Sequence, residues 1–111
     1  LKHGKIEVHS DGSPWRPIIH ISDLSKFILI VLKAPKVKIS GKAFNVGVLN
    51  GNYTVKQIAE AAKSCLSINT KIVFNTEKIV DPRSYKVSFN RAQQELDIKR
   101  LAVGDDFSFL K

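Results

Sequence analysis

A mixed α/β fold built from short strands and helices is what this 111-residue chain predicts. Three observations carry that expectation. Apolar residues recur at helical spacing between Leu24 and Leu32. A capping box, Thr54-x-x-Gln57, opens a second amphipathic stretch. Residues 70–74 form a β-branched and aromatic run of strand character. Helical and strand patterns alternate rather than segregate, as they do in α/β and α+β folds.

Residues 5–8 alternate polar and apolar, with Ile6 and Val8 sharing the buried face of a strand. Asp11-Gly12-Ser13-Pro14 is turn chemistry: Asp bonds its own backbone, Gly permits positive φ, and Pro fixes φ. Residues 15–21 read as a second strand, away from a ladder's centre because Pro17 lacks an N–H. Residues 22–33 follow as a helix, with Leu24, Phe27, Ile28, Val31 and Leu32 as its stripe. Ser22 or Asp23 is its expected cap, and Pro35 stands just past its end. Leu29 and Ile30 make the opposite side apolar as well, so this helix wants cover all round.

Residues 43–46 are expected as a short strand, followed by a loop over 47–52. The helix capped by Thr54 should bury Val55, Ile58, Ala62, Cys65 and Leu66. Residues 81–89 read as a loop running into a short strand, with Tyr85 and Val87 on one side. Asn90-x-x-Gln93 resembles another capping box, for a short helix ending near Leu96. Nothing regular is assigned from Asp97 onward. No repeat or Pro/Gly-rich linker divides the chain, so a single folding unit is expected over residues 1–111.

Several chemistries are excluded. The longest unbroken apolar run, Phe27 to Leu32, is too short to span a bilayer. His3, His9, His20 and Cys65 are the only soft ligands, and none are paired at metal-binding spacing. Cys65 on an apolar helix face reads as an inert core thiol. A lone cysteine and no signal peptide suit a reducing compartment, and the expected location is cytoplasmic. Neither a G-x-G-x-x-G turn nor a Tyr-x-x-x-Lys pair is present. The chain begins at Leu1 and lacks methionine altogether, which reads as a piece of a longer protein.

Eighteen Lys and Arg against ten Asp and Glu leave a charge of +8. That raises the alternative of a small basic module binding nucleic acid or an acidic partner. Yet 14 lysines and 4 arginines are scattered along the chain with no run longer than two basic residues and no platform of interleaved aromatic and basic residues, so nucleic acid is not the expected partner. Two arginines stand apart. Arg16 lies between Trp15 and Pro17, and Arg83 follows Asp81-Pro82. They are either surface residues, one stacked on Trp15 and one paired with Asp81, or two forks converging on one anion. Spacing does not separate these alternatives.

Three blocks together resemble the C-terminal third of the NAD-dependent nucleotide-sugar epimerases and dehydratases, the extended short-chain dehydrogenase/reductases. The first is Asp11-Gly12-Ser13-Pro14-Trp15-Arg16-Pro17-Ile18-Ile19-His20-Ile21-Ser22-Asp23, similar to the family's G-D-G-x-x-R-D-F-I-H-V-x-D. The second is Phe44-Asn45-Val46-Gly47 with Tyr53-Thr54-Val55 opening a helix; the third is Asp81-x-Arg83-x-Tyr85. Pro17 stands where the family commonly has Asp, and His9-Ser10 replaces the usual residue and glycine before Asp11-Gly12.

The resemblance implies the substrate-binding portion of such an enzyme, without the main Rossmann core. NAD is implied for the full-length parent and no cofactor for this fragment, which is expected to be catalytically silent alone. Arg16 and Arg83 match arginines that typically contact the diphosphate of a nucleotide sugar. His20 and Asp23 match structural positions, a strand-end imidazole and a helix cap; Asn45 and Gly47 belong to a turn, and Tyr85 completes the third block. The implied partners are a nucleotide-diphosphate sugar and the N-terminal Rossmann domain of the parent. Without that domain, the apolar helix from Leu24 to Leu32 is expected to drive dimerisation or other self-association.

Overall fold

The computed structural model describes residues 4–66, 69–78, 81–96 and 98. It is a mixed α/β structure of short elements. Where the sequence predicts a single folding unit, the chain gathers into two compact ones. One comprises the described residues up to Arg16 together with Asn52–Lys86; the other comprises Pro17–Gly51 and the described residues from Val87 onward. No linker composition marks the division, because each unit draws on two separate stretches of chain.

In the first unit, β1 (Lys5–Val8) pairs in parallel with β4 (Lys71–Phe74), in the register Lys5↔Lys71 to Val8↔Phe74. Parallel strands need a crossover, usually a helix. Here α3 (Val55–Ser64) lies between them in sequence and packs against both. Its capping box forms as expected: Thr54 Oγ1 accepts from Gln57 N, and Gln57 Oε1 accepts from Thr54 N at 2.8 Å. Among the described residues of this unit, Val8, Ala59 and Ala61 are the buried apolar ones. Cys65, expected in the core, stands exposed at the C-cap, because the helix turns its alanines inward. A 3-10 turn, Thr76–Lys78, follows β4.

A second small sheet pairs β2 (Trp15–Pro17) with β3 (Asn52–Thr54). The strand expected over 15–21 is therefore cut to three residues. Between β1 and β2, Gly12 adopts φ +84°, and a Cβ there would come within 2.6 Å of the Phe74 ring. Only glycine satisfies both constraints.

The second unit centres on α1 (Ile21–Lys33), with α2 (Lys36–Ile39) and α4 (Asn90–Glu95). Phe27, Ala92, Leu96 and Ile98 form its core, joined by Ile30, Val31, Ala34, Ile39, Phe44, Val46 and Val48. The stripe α1 buries is rotated from the expected one: Ile28 and Leu32 are exposed, at 51% and 74%, as are Ile21 and Leu29. Because α1 is apolar on both sides, periodicity alone could not say which side faces inward. Residues 43–46 form no strand. Phe44 and Val46 alternate inward, but an extended segment becomes a strand only when a neighbour completes its ladder. The strand expected near Tyr85 and Val87 is likewise absent. Helix α4 forms where expected, but Phe89 is its N-cap and no side-chain cap bond is made. The chain beyond Asp97, apart from Ile98, lies outside the described residues.

Candidate functional site

The first unit brings Arg16 and Arg83 together, and Asp81 is their meeting point. Arg16 is placed by β2 and its side chain is 20% exposed. Its NH1 donates to the carbonyls of Trp15, at 2.8 Å, and of Arg83. Its NH2 lies 3.2 Å from Asp81 Oδ2. The Arg83 side chain, 77% exposed, grips the same carboxylate from the other side, with Nε 2.8 Å from Oδ1 and NH2 3.0 Å from Oδ2. This is the bidentate geometry that makes guanidinium–carboxylate pairs specific.

The loop that carries Asp81 and Arg83 is held locally. Arg83 N donates to Asp81 Oδ1 at 3.2 Å, a local turn closed by the Asp side chain. Trp15 N donates to Ser84 Oγ, and Tyr85 N to Trp15 O. The Arg16 guanidinium lies 5.5 Å from the Tyr85 ring centroid, and Lys86 Nζ sits 3.7 Å above Trp15. Of the two contacts the surface alternative expects, Arg83 with Asp81 forms, whereas Arg16 lies against Tyr85 and Lys86 takes the Trp15 ring. Hydrogen bonds from the Arg83 side chain, with its backbone N–H and the charges of both arginines, hold the Asp81 carboxyl at about 2. The same contact raises Arg83 above its ordinary value.

Beside this cluster is a cleft of about 350 Å³, lined by Arg16 and Asp81 with Glu7, His9, Ser10 and Val55 among others. His9 Nε2 lies 3.6 Å from Glu7 Oε1. Asn75 donates to Glu7, and that bond holds the Glu7 carboxyl below its ordinary value. Asp81 also lines a second cleft of about 250 Å³ with Asp11, Ser13 and Pro82. Glu7 carries no sequence motif, and His9 stands out in the sequence only as an unpaired soft ligand and a departure from the family pattern.

The remaining sequence-singled residues serve the framework. His20, expected at a strand end, is the N-cap of α1: its Nδ1 accepts from Ser22 N at 3.2 Å. Asp23, expected as the cap, instead lies in the first turn, 1% exposed, with Lys26 Nζ 3.3 Å from its Oδ1. Asn45 Nδ2 donates to Ser88 O across 43 residues. Gly47 is buried against Phe89, where a Cβ would lie 2.2 Å from the ring. Tyr85 is half exposed.

Dinucleotide binding would require helix N-terminal N–H groups open to a pyrophosphate. At α3 they are taken: Val55 N donates to Pro14 O, Lys56 N to Gly12 O, and Gln57 N to Thr54. At α1, Ser22, Asp23 and Leu24 all donate to His20. The starts of α1 and α3 therefore present no open N–H groups to a pyrophosphate. The described residues also hold no group of three His, Cys, Asp or Glu side chains placed for a metal ion. No helix among them is long and apolar enough to cross a membrane.

Residues 1–47 match the model of the NAD dependent epimerase/dehydratase family. The matched segment includes Arg16, His20, Asp23, Asn45 and Gly47, while Asp81, Arg83 and Tyr85 lie beyond it. No curated protein matches the chain.

Proposed function

We propose that this chain binds the diphosphate of a nucleotide sugar, as the substrate-binding portion of an NAD-dependent epimerase or dehydratase. The observation that carries this reading is the convergence of Arg16 and Arg83, 67 residues apart, on one carboxylate. A carboxylate and a phosphate present the same paired oxygens to a guanidinium fork. The Arg83 fork and Arg16 NH2 meet on Asp81, where a diphosphate would receive both. The family match over residues 1–47 supports the same reading from the Arg16 side. In a full-length enzyme NAD would supply the hydride chemistry from residues outside this chain. The arginines' task is to hold a remote anion, so that binding energy there orients the sugar.

Calorimetric titration of the purified chain with UDP tests this. Binding is expected, and Arg83→Gln should weaken it about tenfold, as loss of a charged, bidentate contact does. Unchanged affinity in that variant would overturn the reading. Turnover of any nucleotide sugar with NAD by the chain alone would refute its catalytic silence. Salt-dependent binding to generic DNA, without competition from UDP, would instead favour the small basic module.

We also infer that the chain self-associates through α1. Ile21, Ile28, Leu29 and Leu32 are all more than half exposed on one helix, and Val37 in α2 is 83% exposed. A contiguous apolar face of this kind marks an interface. In the chain on its own, a second copy offers the same apolar surface.

A further inference from the structure

Resting on the diphosphate reading, we propose that Asp81 is a specificity-determining residue: its carboxylate is a resident competitor that an incoming anion must displace from Arg16 and Arg83. Three arginine nitrogens lie on the Asp81 carboxylate. Arg83 spends Nε and NH2 on the two Asp81 oxygens, and Arg16 NH2 reaches Oδ2 at 3.2 Å. The competitor is tethered two residues from Arg83 and fixed by the Arg83 N–H, so its effective concentration at the site is high.

A singly charged anion replaces Asp81 like for like and leaves the carboxylate without its partners, so it gains little. A diphosphate brings more charge than it displaces and is long enough to meet both forks. Building in a group that only the right ligand outcompetes is discrimination against wrong ligands. The two arginines divide the task. Arg16, 20% exposed and bound to three backbone carbonyls, is the fixed donor, while Arg83, 77% exposed and anchored on Asp81, is the one that swings. Asp81 lines two clefts, so an incoming anion has room beside the carboxylate before the exchange.

The test compares the wild-type chain with Asp81→Asn and Asp81→Glu, using inorganic pyrophosphate and the monoanion dimethyl phosphate as probes. The Arg83 Nε–H resonance reports binding. Asn keeps the oxygen that closes the local turn and removes the charge. Asp81→Asn should bind pyrophosphate about two- to fivefold tighter, the scale of an exposed ion pair, and should gain a larger factor for dimethyl phosphate, so that the preference for pyrophosphate falls. Asp81→Glu keeps the charge and should stay near wild type. Equal or weaker pyrophosphate binding by Asp81→Asn, no binding by either protein, or the same change in Asn and Glu would each overturn the proposal. If UDP binds no better than pyrophosphate while the Asn gain persists, the nucleotide reading fails and the competitor stands. If UDP binds and Asp81→Asn leaves its affinity unchanged, the competitor fails and the nucleotide reading stands.

Discussion

Asp81 shows how one carboxyl can set the behaviour of two distant arginines. Its pKa of about 2 in the fold lies below its ordinary value near 3.8, chiefly because Arg83 donates to it. A carboxyl depressed on folding stabilises the fold above its unfolded pKa and loses that contribution as pH falls through its folded one. The window is therefore from about 4 down to about 2, and at neutral pH the cluster is fully ionised. Titration of the Asp81 carboxyl carbon by NMR should give a midpoint near 2. A midpoint at the ordinary value would mean that Arg83 does not hold the carboxylate in solution. Screening by salt should raise the midpoint, since Arg83 is solvent-facing.

At the level of elements, legibility in the sequence followed whether the signal was local. The Thr54 capping box, the β1 and β4 strands and the positions of α1 and α4 were all legible, because each is written in contiguous residues. Elements that depend on a distant partner were not. Residues 43–46 have a strand's alternation without a strand's ladder, and the inward face of α1 was hidden by apolar residues on both sides. The cap of α1 was misplaced by two or three residues because an imidazole acceptor was not weighed against Ser and Asp. The candidate site was half legible: both arginines stood out, but only the fold shows that Asp81 serves both. Phe27, 4% exposed at the centre of the α1–α4 core, is the side chain on which that packing depends. Phe27→Ala should cost about 3–5 kcal/mol. Urea unfolding followed by circular dichroism checks this, since Trp15 fluorescence reports the other unit. A loss below about 1 kcal/mol would remove Phe27 from the centre of the core.

For the whole molecule, the +8 charge and the apolar face of α1 pull in opposite directions. Net charge opposes association, and apolar surface favours it. Light scattering over a concentration series should show a dimer that strengthens with salt, as repulsion is screened. Leu29→Lys with Leu32→Lys should return the chain to monomer. A strictly monomeric wild type at high concentration would sink the self-association reading. The two-unit organisation has a further consequence for how the protein can be dissected. The backbone passes from one unit to the other after Arg16, again after Gly51 and again after Lys86. No single pair of cut points can therefore release either unit as one continuous segment. During synthesis from the N-terminus, the segment ending at Gly51 must wait for residues past Lys86 before its own unit can close. A premature stop anywhere between those positions would leave both units incomplete.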